Sequence, residues 1–280
     1  MKKIIAVLLT VATAVTCAFA LTACKKTEAK YSVGAQAGTT GELYLKGDED
    51  MAFPGYKNIQ GKGYDSIGQA VEDMINGNIN CVISDIAPAN EIASQKTGAV
   101  KVIDIPLSSE SYAIGVNKND SALLSDINGI LQTKKTEIDA IIAKYQDENF
   151  EPTGIPAGKY DASKSQLVVA TNAEFPPFEY TQGSNFVGID IEIAKLIAEE
   201  LGQELVIVNM DFDAVVTSVG NNGVDIAIAG LTVKESRKKS VNFTDSYYTD
   251  SYQVLIVKAD DTTFDNCKTK EDVENILKNK

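Results

Sequence analysis

Histidine is absent from all 280 residues. That removes the side chain most often used as a general base near neutral pH, and the commonest zinc ligand. Cysteine is scarce: Cys17, Cys24, Cys81 and Cys267 have no metal-ligand spacing and are too few to frame a small disulfide fold. Cys81 lies in an apolar run and reads as core, a Cys81–Cys267 bridge being the less favoured alternative. Positive charge is in deficit, 26 Lys and Arg against 39 Asp and Glu, for a formal charge of −13. So acidic a surface argues against nucleic-acid binding and against adhesion to anionic membranes. Neither a metal site nor a cofactor is expected.

What is present begins with a targeting segment. Lys2 and Lys3 precede an apolar stretch from Ile4 to Ala20, which ends at Leu21-Thr22-Ala23-Cys24. This is the layout of a secretory signal over residues 1–24, too short and too weakly flanked for a spanning helix. Its ending resembles the lipobox of bacterial lipoproteins, which implies lipid attachment at Cys24. An ordinary signal peptide with a chance cysteine is the alternative. Residues 25–31 would then be a tether, and the remainder suffices for one large or two small domains.

Beyond the tether, strand-like apolar runs alternate with helical periodicity, the pattern of an α/β fold. Strands are expected at 32–36, 79–84, 112–117, 166–171, 205–209, 224–229 and 252–258. Helices are expected at 66–76, 122–132, 136–144, 189–201, 212–219 and 270–277. Pro152, Gly154, Pro156 and Gly158 interrupt any apolar period, so 150–165 reads as a linker. Two internal echoes stand out: Ser111–Lys118 resembles Ser251–Lys258, and Ile79–Asp85 aligns with Val224–Gly230. Two similar α/β lobes would produce both.

Residues 166–258 carry a more specific likeness. Val169-Ala170-Thr171-Asn172-Ala173-Glu174-Phe175-Pro176-Pro177-Phe178 resembles the opening strand and turn of the amino-acid-binding proteins of ABC transporters. Gly188–Ala194, Ala229-Gly230-Leu231-Thr232-Val233-Lys234-Glu235-Ser236-Arg237 and Phe243–Tyr248 are similar to later pieces of the same lobe, in the same order. The family's other half is present but displaced. Val33–Gly41 looks like the opening of its second lobe, and Asn80–Asp85, Ser111–Lys118 and the helices of Ser121–Lys144 follow it.

The resemblance therefore implies a two-lobed fold of the type II periplasmic-binding-protein kind, circularly permuted. Lobe 2 would comprise 32–110, completed by 262–280; 111–149 would return as a hinge strand with helices packing on lobe 1. Residues 166–261 would be lobe 1 and the other hinge strand. Permutation is tolerated where termini lie close and the cut falls in an exposed connection. Two truncated halves completed by exchange between chains is the competing arrangement.

A buried amino acid needs matched partners for its carboxylate and ammonium. Arg237 is the candidate for the carboxylate, since its planar fork can make two parallel charged hydrogen bonds. Thr39 and Thr40, in a Gly-Thr-Thr-Gly turn at a helix start, would clamp the same anion from the other lobe. Asp85 is the ammonium candidate, with the Gly230 carbonyl and the Thr232 hydroxyl; its plainer reading is a helix cap. Phe175 and Phe212 match positions where the family packs aromatic rings on the ligand, although Phe212 also fits a core role. Asn172 and Gln36 are candidates for side-chain choice. The neutral amide of Asn172 favours an uncharged or polar ligand, a preference Glu174 could reverse.

The expected function is capture of a free amino acid by an extracytoplasmic, lipid-anchored monomer, which delivers it to a membrane permease. It is not expected to be an enzyme. A same-fold periplasmic dehydratase acting on a prephenate-like substrate is the alternative, with Glu174 or another carboxylate as its acid–base group. A sensor domain would need spanning and signalling segments.

Overall fold

The computed structural model describes residues 31–280 apart from 51, 148 and 222. The expected signal, Cys24 and the tether up to residue 30 lie outside the described residues. Residues 31–280 form one compact unit.

The chain opens with β1 (Ser32–Gln36), α1 (Thr40–Lys46), β2 (Gln60–Tyr64), α2 (Ile67–Ile75), β3 (Cys81–Asp85), α3 (Ile86–Gln95) and β4 (Val100–Ile103). β5 (Glu110–Tyr112), β6 (Gly115–Asn117), α4 (Ser121–Thr133) and α5 (Lys135–Lys144) follow. Next come β7 (Gln166–Thr171), β8 (Glu174–Phe175), β9 (Glu179–Gln182), β10 (Asn185–Val187), α6 (Ile189–Glu200), β11 (Glu204–Asn209) and α7 (Phe212–Ser218). The chain finishes with β12 (Ile226–Ala227), α8 (Glu235–Lys238), β13 (Val241–Phe243), β14 (Tyr248–Ser251), β15 (Gln253–Lys258) and α9 (Lys270–Lys278).

Each lobe is built on one five-stranded mixed sheet. Lobe 2 has the order β2-β1-β3-β15-β4 and lobe 1 the order β11-β7-β12-β6-β13. The two orders are the same pattern. In each, the first three strands are parallel, and the fourth position is an antiparallel strand arriving from the other half of the chain. The crossings run side by side, because β5 and β14 pair as an antiparallel ribbon with Tyr248 opposite Tyr112 and Ser251 opposite Glu110. This accounts for both sequence echoes: β6 and β15 are the exchanged strands, and β3 and β12 are the equivalent third strands.

Local chemistry explains the elements. Every residue of β3 is buried, as expected of a parallel strand covered on both faces. In α2, Ile67, Ala70, Val71 and Met74 fall on one buried face, and the Ser66 hydroxyl accepts from the Gln69 amide at 3.3 Å. α9 starts with a reciprocal cap between Thr269 and Asp272. Its Val273 and Leu277 then join Val33, Tyr44 and Leu255 in the lobe 2 core, each burial stabilising by about 1.5–3 kcal/mol. Cys81 is buried and Cys267 half-buried, and both are free thiols.

Two boundaries differ from the sequence reading. Residues 150–165 are no free linker: Ile155 pairs with Phe186, and Ile155 and Ala157 pack against the cluster of Ala173, Phe186, Ile191 and Ile207. Single anchors of this kind leave no periodic signal. The hinge crossing falls at the β5–β14 ribbon, and β15, within the stretch expected to form the other hinge strand, lies in the lobe 2 sheet.

Candidate functional site

Residues at and just beyond the C-terminal ends of the two third strands line one cavity. Asp85 closes β3, and Gly230 lies just beyond β12, the position aligned with Asp85 in the sequence echo. A small cavity between the lobes is lined by Thr39, Thr40, Asp85, Glu110, Phe175, Phe212, Gly230, Thr232 and Arg237. Its volume of about 10 Å³ is room for roughly one water molecule. Eight of the ten expected residues therefore meet at one point, joined by Glu110.

Arg237 sits at the seam. Its Nη1 donates to the Thr232 carbonyl at 2.9 Å, and its Nη2 crosses to the Gly38 carbonyl of lobe 2 at 3.1 Å. The guanidinium carbon stands 5.3 Å from the centre of the Phe212 ring, in cation–π range. Phe212 also packs against the lobe 1 core. Thr39 precedes α1, with its hydroxyl donating to the Gln36 carbonyl at 2.7 Å rather than capping the helix.

Asp85 precedes α3 but makes no side-chain cap there. Its carboxylate instead accepts from the hydroxyls of Tyr112 and Ser251 and from Gln253 Nε2 at 2.6 Å. Burial, then the charge of Glu110, pushes its pKa up to about 7. Glu110, 5% exposed, accepts from Ser108 Oγ at 2.7 Å, Gln253 Nε2 at 3.0 Å and, across the lobes, Thr232 Oγ1 at 2.6 Å. One amide nitrogen thus bridges two buried carboxylates.

Gly230 adopts φ of +52°, and a Cβ there would meet the Phe175 ring at 3.0 Å. The position needs glycine for both reasons. Its N–H donates to Asp190 Oδ2 at 2.8 Å, which also accepts from Tyr247 at 2.8 Å. Burial lifts Asp190 to about 6 and, with the Asp190 charge, raises Glu179 well above the usual carboxylate range.

Gln36 and Asn172 do not line the cavity. Gln36 Nε2 donates to Asn172 Oδ1 at 2.7 Å, and Asn172 Nδ2 to the Met210 carbonyl at 2.9 Å. They form a buried polar link between the lobes, so Asn172's neutral amide answers to Gln36. A second link is the Lys234–Asp48 ion pair at 2.5 Å, with side chains only 4% and 7% exposed. Glu235 N donates to Asp50 nearby, at 3.0 Å. Glu174 is exposed and does not line the cavity.

Sequence reasoning missed Glu110. Its signal is its place immediately before the echoed segment that crosses between the lobes. No cluster of His, Cys, Asp or Glu among the described residues could hold a metal ion. Among the described residues no helix is long and apolar enough to cross a membrane.

Residues 167–279 match the family described as bacterial extracellular solute-binding proteins, family 3. The chain is an α/β protein, and its residues 167–279 are similar to that family. It is 38% identical over 98 residues to the arginine-binding extracellular protein ArtP of Bacillus subtilis, covering 35% of this chain and 38% of that one. It is 34% identical over 113 residues to ABC transporter arginine-binding protein 1 of Escherichia coli, covering 40% and 46%. The chain thus spans about two-fifths of the length of the curated relatives it matches. Among solved structures, a periplasmic substrate-binding protein of an ABC transporter from Coxiella burnetii is 12% identical, covering 88% of this chain and 91% of that one, with a TM-score of 0.37.

Proposed function

We propose that the protein is the extracytoplasmic solute-binding component of an ABC importer and that it takes a free amino acid between its lobes. The observation that carries this is the cavity where Arg237 of lobe 1 faces Thr39 and Thr40 of lobe 2, with Asp85 alongside. The ligand carboxylate takes the guanidinium fork in place of the two backbone carbonyls now held there. The ammonium takes Asp85, whose raised pKa falls back once a cation replaces the nearby Gln253 amide.

A cavity with room for one water admits no amino acid, so entry requires the lobes to part about the β5–β14 ribbon. Binding both lobes then shifts the population toward closure. The closed form docks on a membrane permease. We further infer that the element order is a circular permutation carried by a monomer, a reading supported by two complete sheets within residues 31–280. Anchoring through a lipid on Cys24 belongs to the same proposal. Asn172 gives no ground for an uncharged ligand, because its carbonyl oxygen is taken by Gln36.

A thermal-shift screen of the standard amino acids plus ornithine, citrulline and cystine tests the reading. At least one should raise Tm in the parent protein and fail to do so in Arg237→Ala. No shift with any of them would overturn it.

A further inference from the structure

The charges around the cavity do not balance for a simple amino acid. Its lining holds Asp85, Glu110 and Arg237, two carboxylates against one guanidinium. Behind Gly230 lie two more acids, Glu179 and Asp190, both with pKa values raised by burial. A zwitterion adds nothing to the sum: its carboxylate matches Arg237, its ammonium matches Asp85, and Glu110 keeps the neutral donors Ser108, Gln253 and Thr232. Burying a carboxylate that has hydrogen bonds but no cation of its own is costly.

There is also a route to Glu110. Thr40, Glu110 and Thr232 line both the small cavity and a neighbouring one of about 400 Å³. The larger space is bounded by the stacked rings of Tyr44 and Phe53, 5.2 Å between centres. Of its four charged lining residues, Lys234 is paired with Asp48 and Lys270 lies 3.7 Å from Glu274. The other two are Glu110 and Asp50. A long side chain leaving the small cavity past Thr40 and Thr232 would thus enter an aromatic-walled space lined by Glu110 and Asp50 as well as by the two paired lysines.

We propose that Glu110 sets the charge class of the ligand, pairing with a positive group on the side chain of a cationic amino acid. This rests on the amino-acid reading above. Glu110 suits the role because it stands on the hinge ribbon and already accepts from Thr232 of the opposite lobe. Pairing there satisfies the carboxylate only when the lobes are closed, so selection and closure use the same contact.

The test is titration calorimetry with L-arginine, L-lysine and L-ornithine, against L-citrulline and L-glutamine. Citrulline keeps the shape of arginine without its charge. The parent protein should bind a cationic ligand at least roughly 30-fold more tightly than its neutral counterpart, the low end of the effect of leaving a buried charge unpartnered. Glu110→Gln should narrow that ratio several-fold or more. Equal binding of arginine and citrulline overturns the inference and leaves the amino-acid reading standing. So does a cationic preference that Glu110→Gln leaves unchanged. Should that variant not fold, the parent's own ratio decides whether the ligand is cationic, and Glu110→Asp decides the residue. Binding of no amino acid overturns both readings.

Discussion

Asp85→Asn should stabilise the ligand-free protein while abolishing binding, a combination that distinguishes a site residue from a structural one. The Asp85 carboxyl titrates near 3.8 when exposed and at about 7 in the fold, with burial as the main cause. Below pH 3.8 it is protonated in both states and costs nothing. Between 3.8 and 7 the folded protein keeps a proton that the unfolded chain has lost, so stability falls as pH rises, and above 7 the full cost is present. Three pKa units correspond to about 4 kcal/mol. Removing the Asp85 charge removes both its burial cost and its repulsion with Glu110, so the variant should recover a large part of this, with Tm at pH 8 rising by about 2–4 °C for each kcal/mol recovered. Asparagine can keep the local network, because the Tyr112 and Ser251 hydroxyls can turn to accept from its amide. Thermal melts of both proteins from pH 4 to pH 9 are the assay. The gap should open with rising pH and nearly vanish at pH 4. A variant that melts below the parent at pH 8, with the same pH dependence, would refute the reasoning.

Three further outcomes are expected. Lys234→Ala removes one side of a buried ion pair between the lobes and should cost the closed form about 3–5 kcal/mol, seen as a larger radius of gyration in X-ray scattering. An unchanged radius would contradict that role. Gly230→Ala forces a Cβ onto a left-handed backbone against Phe175; a loss of at least about 1–2 kcal/mol in ligand affinity is expected by calorimetry, and none would mean that the glycine is incidental. A thiol reagent should label Cys267 readily and Cys81 only on unfolding, as their burial dictates; equal labelling rates in the native protein would count against the packing of β3.

Periodic elements were the most legible in sequence. The run at 32–36 became β1 with the same limits, and α2 lost one residue at each end of the expected 66–76. Helix α3 went unseen because Pro88 reads as a breaker, although in a first turn its missing N–H costs nothing. The short strands β8 to β10 and β13 carry too few residues for any period to emerge. Within the site, Arg237, Thr232 and Gly230 are legible through the family resemblance, which places all three on one loop after one strand. Asn172 and Gln36, expected to choose the ligand side chain, instead bond to each other, a pairing across 136 residues that no local pattern reveals. Glu110 lies in a three-residue strand, and its neighbours Ser108, Thr232 and Gln253 come from three separate segments.

A crystal structure of the complex with the best ligand of the screen measures directly whether one small ligand is gripped by both lobes. The ligand carboxylate is expected between the Arg237 guanidinium and the Thr39–Thr40 turn, within hydrogen-bond distance of both, with its ammonium on Asp85. A ligand bound to one lobe only, or away from Arg237, would contradict it.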